Sequence, residues 1–126
     1  MTSIPKCAII KVQRTEVQKM FKLKDVKLNA GATLDKQGNP MQYARGYQVS
    51  EKDLLIIPAY RLTKKQLIAM LNELADGKCL GVWIDGGKAY IDCSEYVSTK
   101  KQALRLGKAR KQISIWNWKA GEAIAC

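Results

Sequence analysis

The chain has 126 residues, 47% hydrophobic and 26% charged, which is one domain's worth of apolar surface and enough to build a core without disulfide or metal staples. Its 22 Lys and Arg against 11 Asp and Glu leave a net charge of +11, so a partner is expected to be acidic: phosphate, an acidic protein surface or anionic lipid. The absence of histidine removes the side chain most used for acid–base catalysis near neutral pH and the commonest metal ligand. Without a secretory leader pattern or an apolar run of about eighteen residues, the expectation is a cytoplasmic protein with no membrane partner. Cys7, Cys79, Cys93 and Cys126 are too widely spaced for the paired motifs of zinc sites. They read as free thiols, and no metal or cofactor is expected.

In chain order, Cys7–Val12 is a short apolar run that suits a buried strand, and Thr15–Gln18 has the form of a helix cap. Residues 21–28 alternate apolar and basic, with a change of parity at Asp25 that marks a bulge or an element boundary; helix and strand readings compete over residues 15–24, and helix followed by strand is preferred. Asp35–Pro40 is a turn, and the loop from Leu34 to Gly46 is expected to lie on the surface. Gly46–Val49 and Leu54–Tyr60 read as two short strands, the second carrying Pro58 at an edge or at its end.

Thr63-Lys-Lys-Gln66 opens a helix over about residues 64–76, with Leu67, Ile68, Leu71, Leu74 and Ala75 at helical spacing and Gly77 as the stop. The stretch from Leu80 to Trp118 then reads as strand, turn, strand, helix, strand. A two-residue turn at Gly86-Gly87 pairs Asp85 with Lys88, Ile84 with Ala89, Trp83 with Tyr90, Val82 with Ile91 and Leu80 with Cys93. That register makes one face apolar and leaves an ion pair and an aromatic pair on the other. Thr99-Lys-Lys-Gln102 caps the second helix, over about residues 100–111, with Ala103, Leu104, Leu106 and Gly107 on its apolar side. Finally, Ile113 and Ile115 alternate with Trp116 and Trp118 in a strand. The expected fold is α+β: a mostly antiparallel sheet, two main helices and a C-terminal β-β-α-β unit, in a single domain whose halves are residues 1–62 and 63–126.

Two surfaces carry the functional expectation. The second helix is the most densely charged part of the chain, with Lys100, Lys101, Arg105, Lys108, Arg110 and Lys111 and no acid among them. Lys101, Arg105 and Lys108 fall in one stripe opposite Gly107, which suits either a solvated helix face or a phosphate-contacting ridge completed by Lys100 and Lys111. If the last strand joins the hairpin with its isoleucines toward the apolar face, Trp83, Tyr90, Trp116 and Trp118 collect on the other. Such a face suits base stacking or an interface, or is core if the N-terminal half covers it. Asp85, Asp92 and Glu95 are the nearest approach to a carboxylate cluster, with no reason to converge. No phosphate-binding glycine motif and no nucleophile–histidine pair is present, so no catalytic residue is assigned.

The segments GATLDKQGNP and RGYQVSEKDL, together with Leu80–Trp118, resemble small accessory proteins of phages and of conjugative or integrative elements of gut and other Gram-positive bacteria. The likeness spans most of residues 31–118. That family brings no catalytic motif, so the resemblance carries no residue role across. What it implies is company: such proteins act on DNA, on transfer machinery or against host defence complexes, anti-CRISPR proteins included. The expectation is a non-enzymatic basic protein that engages nucleic acid or a host nucleoprotein complex. The alternative is a protein-binding or homo-oligomeric subunit of transfer or replication machinery.

Overall fold

A computed structural model describes residues 20–126. They form helix α1 (Leu23–Leu28), strands β1 (Gly31–Leu34), β2 (Pro40–Met41) and β3 (Tyr47–Pro58), and a 3-10 turn (Ala59–Arg61). Helix α2 (Lys64–Asn72), strands β4 (Cys79–Asp85) and β5 (Lys88–Val97), helix α3 (Lys100–Ala109) and strands β6 (Ser114–Asn117) and β7 (Glu122–Ala125) follow. The strands make one seven-stranded antiparallel sheet in the order β2-β1-β4-β5-β3-β6-β7. The architecture is α+β, with the β-β-α-β unit at its C-terminal end. The expected strand at Cys7–Val12 and cap at Thr15–Gln18 lie outside the described residues.

The β4–β5 hairpin has the register its side chains predict, from Asp85 opposite Lys88 to Leu80 opposite Cys93. Gly86 and Gly87 both hold positive φ, 56° and 77°, as the tight primed turn requires. Because side chains alternate, Ala89, Ile91, Cys93 and Val97 point to one face of β5, and Tyr90, Asp92, Ser94 and Tyr96 to the other. All three helices cover the first face. Phe21, Val26, Leu67 and Leu71 pack on Leu80, Val82, Ile91 and Cys93, while Ala103 of α3 packs on Val49, Val97 and Ile115.

The helix caps behave as their sequences demand, with one difference. In α2 the Thr63 hydroxyl accepts from the Gln66 amide at 3.2 Å and the Gln66 side chain accepts from the Thr63 amide at 2.8 Å. In α3 the Thr99 hydroxyl accepts from the Gln102 amide at 3.3 Å, but the Gln102 side chain accepts from the Thr99 hydroxyl and does not reach the backbone. Thr63→Ala is expected to cost about 1 kcal/mol in urea unfolding, because it orphans the Gln66 amide and frees the reciprocal bond. A loss within error of zero would mean that water replaces the cap at no cost.

Four expectations are corrected. Residues 23–28 are helical rather than a strand beyond Asp25: Val26 must reach the core cluster, and packing overrides a pattern compatible with either element. Gly46–Val49 and Leu54–Tyr60 are not separate strands but belong largely to β3, a continuous strand of 12 residues. Its register against β5 shifts between Ser50 and Lys52 and again between Asp53 and Leu55, so two bulges break the alternation. Helix α2 stops at Asn72, four residues short of the expected end, although Leu74 stays buried in the core. The last strand adds to β3 rather than to the hairpin, through Gln48 opposite Trp116. It is then continued by β7, a strand the sequence did not announce.

Candidate binding surfaces

Helix α3 presents the basic ridge. Ala103 and Gly107 turn inward, and Lys100, Lys101, Arg105, Lys108 and Lys111 are all exposed. Gly107 is required by the approach of the helix to the sheet, since a Cβ there would meet Cys126 Sγ and Ile115 Cγ2. None of the five ridge cations forms an ion pair among the described residues. Arg110 behaves differently. It leaves the ridge and donates to Glu95, which also accepts from Lys78 Nζ at 3.1 Å. The Arg110 hydrogen bond, helped by Lys78, holds the Glu95 carboxyl below the usual carboxylate range despite its partial burial.

Local rules are broken on α3 in one direction. Lys100 and Lys101 sit in the first turn, where the helix dipole disfavours positive charge, and no acid joins them there. At the other end the Gln112 amide donates to the Gly107 carbonyl at 2.8 Å and the Lys111 amide to the Lys108 carbonyl at 3.0 Å. This double closure puts Lys111 at a left-handed φ of 57°, where glycine is the usual residue. The charges of Lys100 and Lys101 oppose the helix dipole, whereas at Lys111 the cost lies in the left-handed backbone and not in the charge.

The opposite face of the sheet is bare of helices among the described residues. Trp83, Tyr90, Trp116 and Trp118 do gather there, on the side of the sheet away from Ile115. The described part of the N-terminal half covers them only at one end, where Tyr43 packs on Trp118, and leaves Trp83 and Tyr90 exposed; it supplies α1 to the other face and β1, β2 and β3 to the sheet itself. Ile113, expected inside with Ile115, precedes β6 and is 90% exposed.

The face is deeply concave. Strands β4 and β6 are separated by β5 and β3, so a flat sheet would hold their side chains about 14 Å apart. Instead the rings of Trp83 and Trp116 meet edge to face with centroids 5.7 Å apart. The bulges of β3, which sharpen local twist, account for this curl. Trp116 in turn meets Trp118 at 6.3 Å, Trp118 meets Tyr43 at 5.5 Å, and Tyr43 stacks on Tyr96 at 4.2 Å. Tyr43 and Tyr96 were missing from the sequence reading. Tyr96 shares the parity of Tyr90 along β5 and could have been found, whereas Tyr43 lies in a loop and could not.

The concavity has a volume of about 770 Å³ and is open to solvent. Its floor is polar: Thr33 donates to Gln48 at 2.9 Å, and Ser94 donates to the Asp92 carboxylate at 2.6 Å. Burial raises the Asp92 pKa, an effect that the Ser94 bond opposes and Asp53 reinforces. Gly81 lies beneath Asp92 because any Cβ there would strike the carboxylate. Among the described residues the only charged ones lining the cavity are Asp53 and Asp92, with no Lys or Arg.

Asp85, Asp92 and Glu95 do not converge. Glu95 lies on the helix-covered face, Asp92 on the concave one, and Asp85 beside the Gly86-Gly87 turn. Cys79 and Cys93 are buried free thiols, and desolvation pushes Cys79 up to about 12, which leaves it protonated and unreactive. Among the described residues no cluster of acidic or thiol side chains is placed to hold a metal, and no helix is long and apolar enough to cross a membrane. The chain matches no protein-family model, no curated protein and no solved structure.

Proposed function

We propose that this is a non-enzymatic binding protein that engages the phosphate backbone of nucleic acid, free or within a nucleoprotein complex, through the exposed ridge of α3. The observation that carries the reading is that Lys100, Lys101, Arg105, Lys108 and Lys111 form no ion pair among the described residues, on a helix whose first turn and left-handed cap both carry lysine at a cost to stability. Surface charge of one sign without compensating acids attracts polyanions and steers their approach. Cations at phosphates set affinity without reading bases, so binding is expected to be indifferent to sequence. In the setting that the resemblance to mobile-element proteins implies, the partner would be element DNA or a host nucleoprotein defence complex.

Base stacking is not part of the proposal. The aromatic face lies across the sheet from α3, and its lining carries carboxylates where a single-stranded nucleic acid would need cations. A helix ridge without a stacking platform suits duplex backbone.

The test is fluorescence anisotropy of a labelled duplex. If Lys101, Arg105 and Lys108 each neutralise one phosphate, log K falls against log salt with a slope of about −2.7, or ~40-fold between about 50 and about 200 mM salt. The Lys101→Glu/Arg105→Glu variant is expected to bind at least ~10-fold more weakly at low salt, with a slope flatter by about 2. Equal affinity and slope in that variant, with its thermal melt unchanged, would overturn the proposal.

A further inference from the structure

We propose that the concave aromatic face binds a small organic cation, a quaternary or protonated amine with a flat apolar body, seated against the rings of Trp83, Trp116 and Tyr90 with its charge toward Asp92 and Asp53. The inference is independent of the ridge on α3.

Shape comes first. The curl of the sheet makes a cavity of about 770 Å³, within the range that small-molecule sites occupy, with aromatic walls above a polar floor. The walls are what a cation needs, since the faces of tryptophan and tyrosine attract ammonium groups, tryptophan most strongly. Trp83 is 49% exposed and Tyr90 36%, so neither ring is spent on the core.

Charge decides the class of ligand. In a chain carrying +11, a face taken at random would be basic, yet among the described residues the charged groups that line this cavity are two aspartates, with no Lys or Arg among them. The aspartates also stand directly opposite each other across β3 and β5. Like charges in that position destabilise a sheet, and one of them is additionally desolvated. A cation between them turns this cost into binding energy. The walls have unused capacity as well: Trp118 Nε1 is buried without a hydrogen-bond partner among the described residues. An anionic or nucleotide ligand would meet the two carboxylates unscreened.

The chain's 3 tryptophans all line this cavity, so intrinsic fluorescence reports on it alone. The full chain is titrated with benzyltrimethylammonium, with benzyl alcohol as the neutral control and benzoate as the anionic one, and affinities are confirmed by calorimetry. The expected result is saturable quenching by the cation, at least ~10-fold tighter than by benzyl alcohol, and none by benzoate. Asp92→Asn is expected to weaken the cation ~10-fold or more without lowering the melting temperature, and Trp116→Ala to do the same to affinity. Asp92→Asn should leave duplex binding unchanged, and Lys101→Glu/Arg105→Glu should leave cation binding unchanged, so the two readings fail separately. Equal affinity for cation and benzyl alcohol, or cation binding indifferent to Asp92→Asn, overturns the inference. So does tryptophan emission that neither the ligands nor acrylamide can quench, which would mean that another part of the chain or a second copy already covers the face.

Discussion

Ile91→Ala is expected to remove about 3–4 kcal/mol of stability, a large share of the roughly 5–15 kcal/mol that holds a domain of this size together. Ile91 is wholly buried on β5, with Val82 opposite on one side and Leu55 on the other. Its side chain belongs to the cluster that Leu67 and Leu71 of α2 close from above. A strand paired on both flanks cannot move to fill the space left by a lost side chain, which puts the cost in the upper part of the range for isoleucine truncations. The melting temperature should fall by more than about 10 °C. Ile113→Ala is the internal control, since that residue is 90% exposed and its truncation should stay within about 0.5 kcal/mol. Urea unfolding of the two variants decides the matter: a loss under about 1 kcal/mol for Ile91→Ala would mean that the core does not centre on β5.

What could be read from the sequence follows from how local its causes are. The β4–β5 hairpin was legible because Gly86-Gly87 fixes a turn and a one-residue slip would mix an apolar face with Trp83, Tyr90 and Asp92. Helices α2 and α3 were legible because each begins with Thr-Lys-Lys-Gln and carries apolar residues at helical spacing. The ridge of α3 followed from those two facts and the geometry of a helix. Strand β3 was not legible as one element, because its two bulges shift parity twice within 12 residues and make a continuous strand read as fragments.

The same bulges hid the character of the aromatic face. Trp83, Tyr90, Trp116 and Trp118 could be assigned to one side of the sheet by alternation alone. That Trp83 would touch Trp116 across two intervening strands depends on curl, which no pair of neighbours encodes. The opposition of Asp53 to Asp92 exists only in the bulged register. Without it the face looked like a stacking platform; with it, the face is acidic and sets itself apart from the basic remainder of the chain.

Glu95→Gln should cost about 1–2 kcal/mol at neutral pH, and the loss should disappear on acidification. Glu95 gathers three parts of the fold: Arg110 from the end of α3, Lys78 from the turn before β4, and its own strand β5, with Lys78 also bonded to Glu51 of β3 at 3.1 Å. Removing its charge leaves the Arg110 guanidinium, already buried at Nη1 without a partner among the described residues, less well compensated. Partial solvent access to both groups keeps the cost below that of a fully buried pair. Because Arg110 and Lys78 depress the pKa of Glu95 in the folded state, its contribution is complete above the ordinary carboxylate value and is lost as pH falls through the lower folded value. Asp92 works in the opposite sense. Its raised pKa makes the folded state take up a proton more readily, so acidification through its folded value relieves a cost rather than removing a gain. Urea unfolding of the parent and Glu95→Gln across the acid range therefore gives two curves that converge at low pH, and an offset that stayed constant with pH would show that Glu95 acts through packing rather than through its charge.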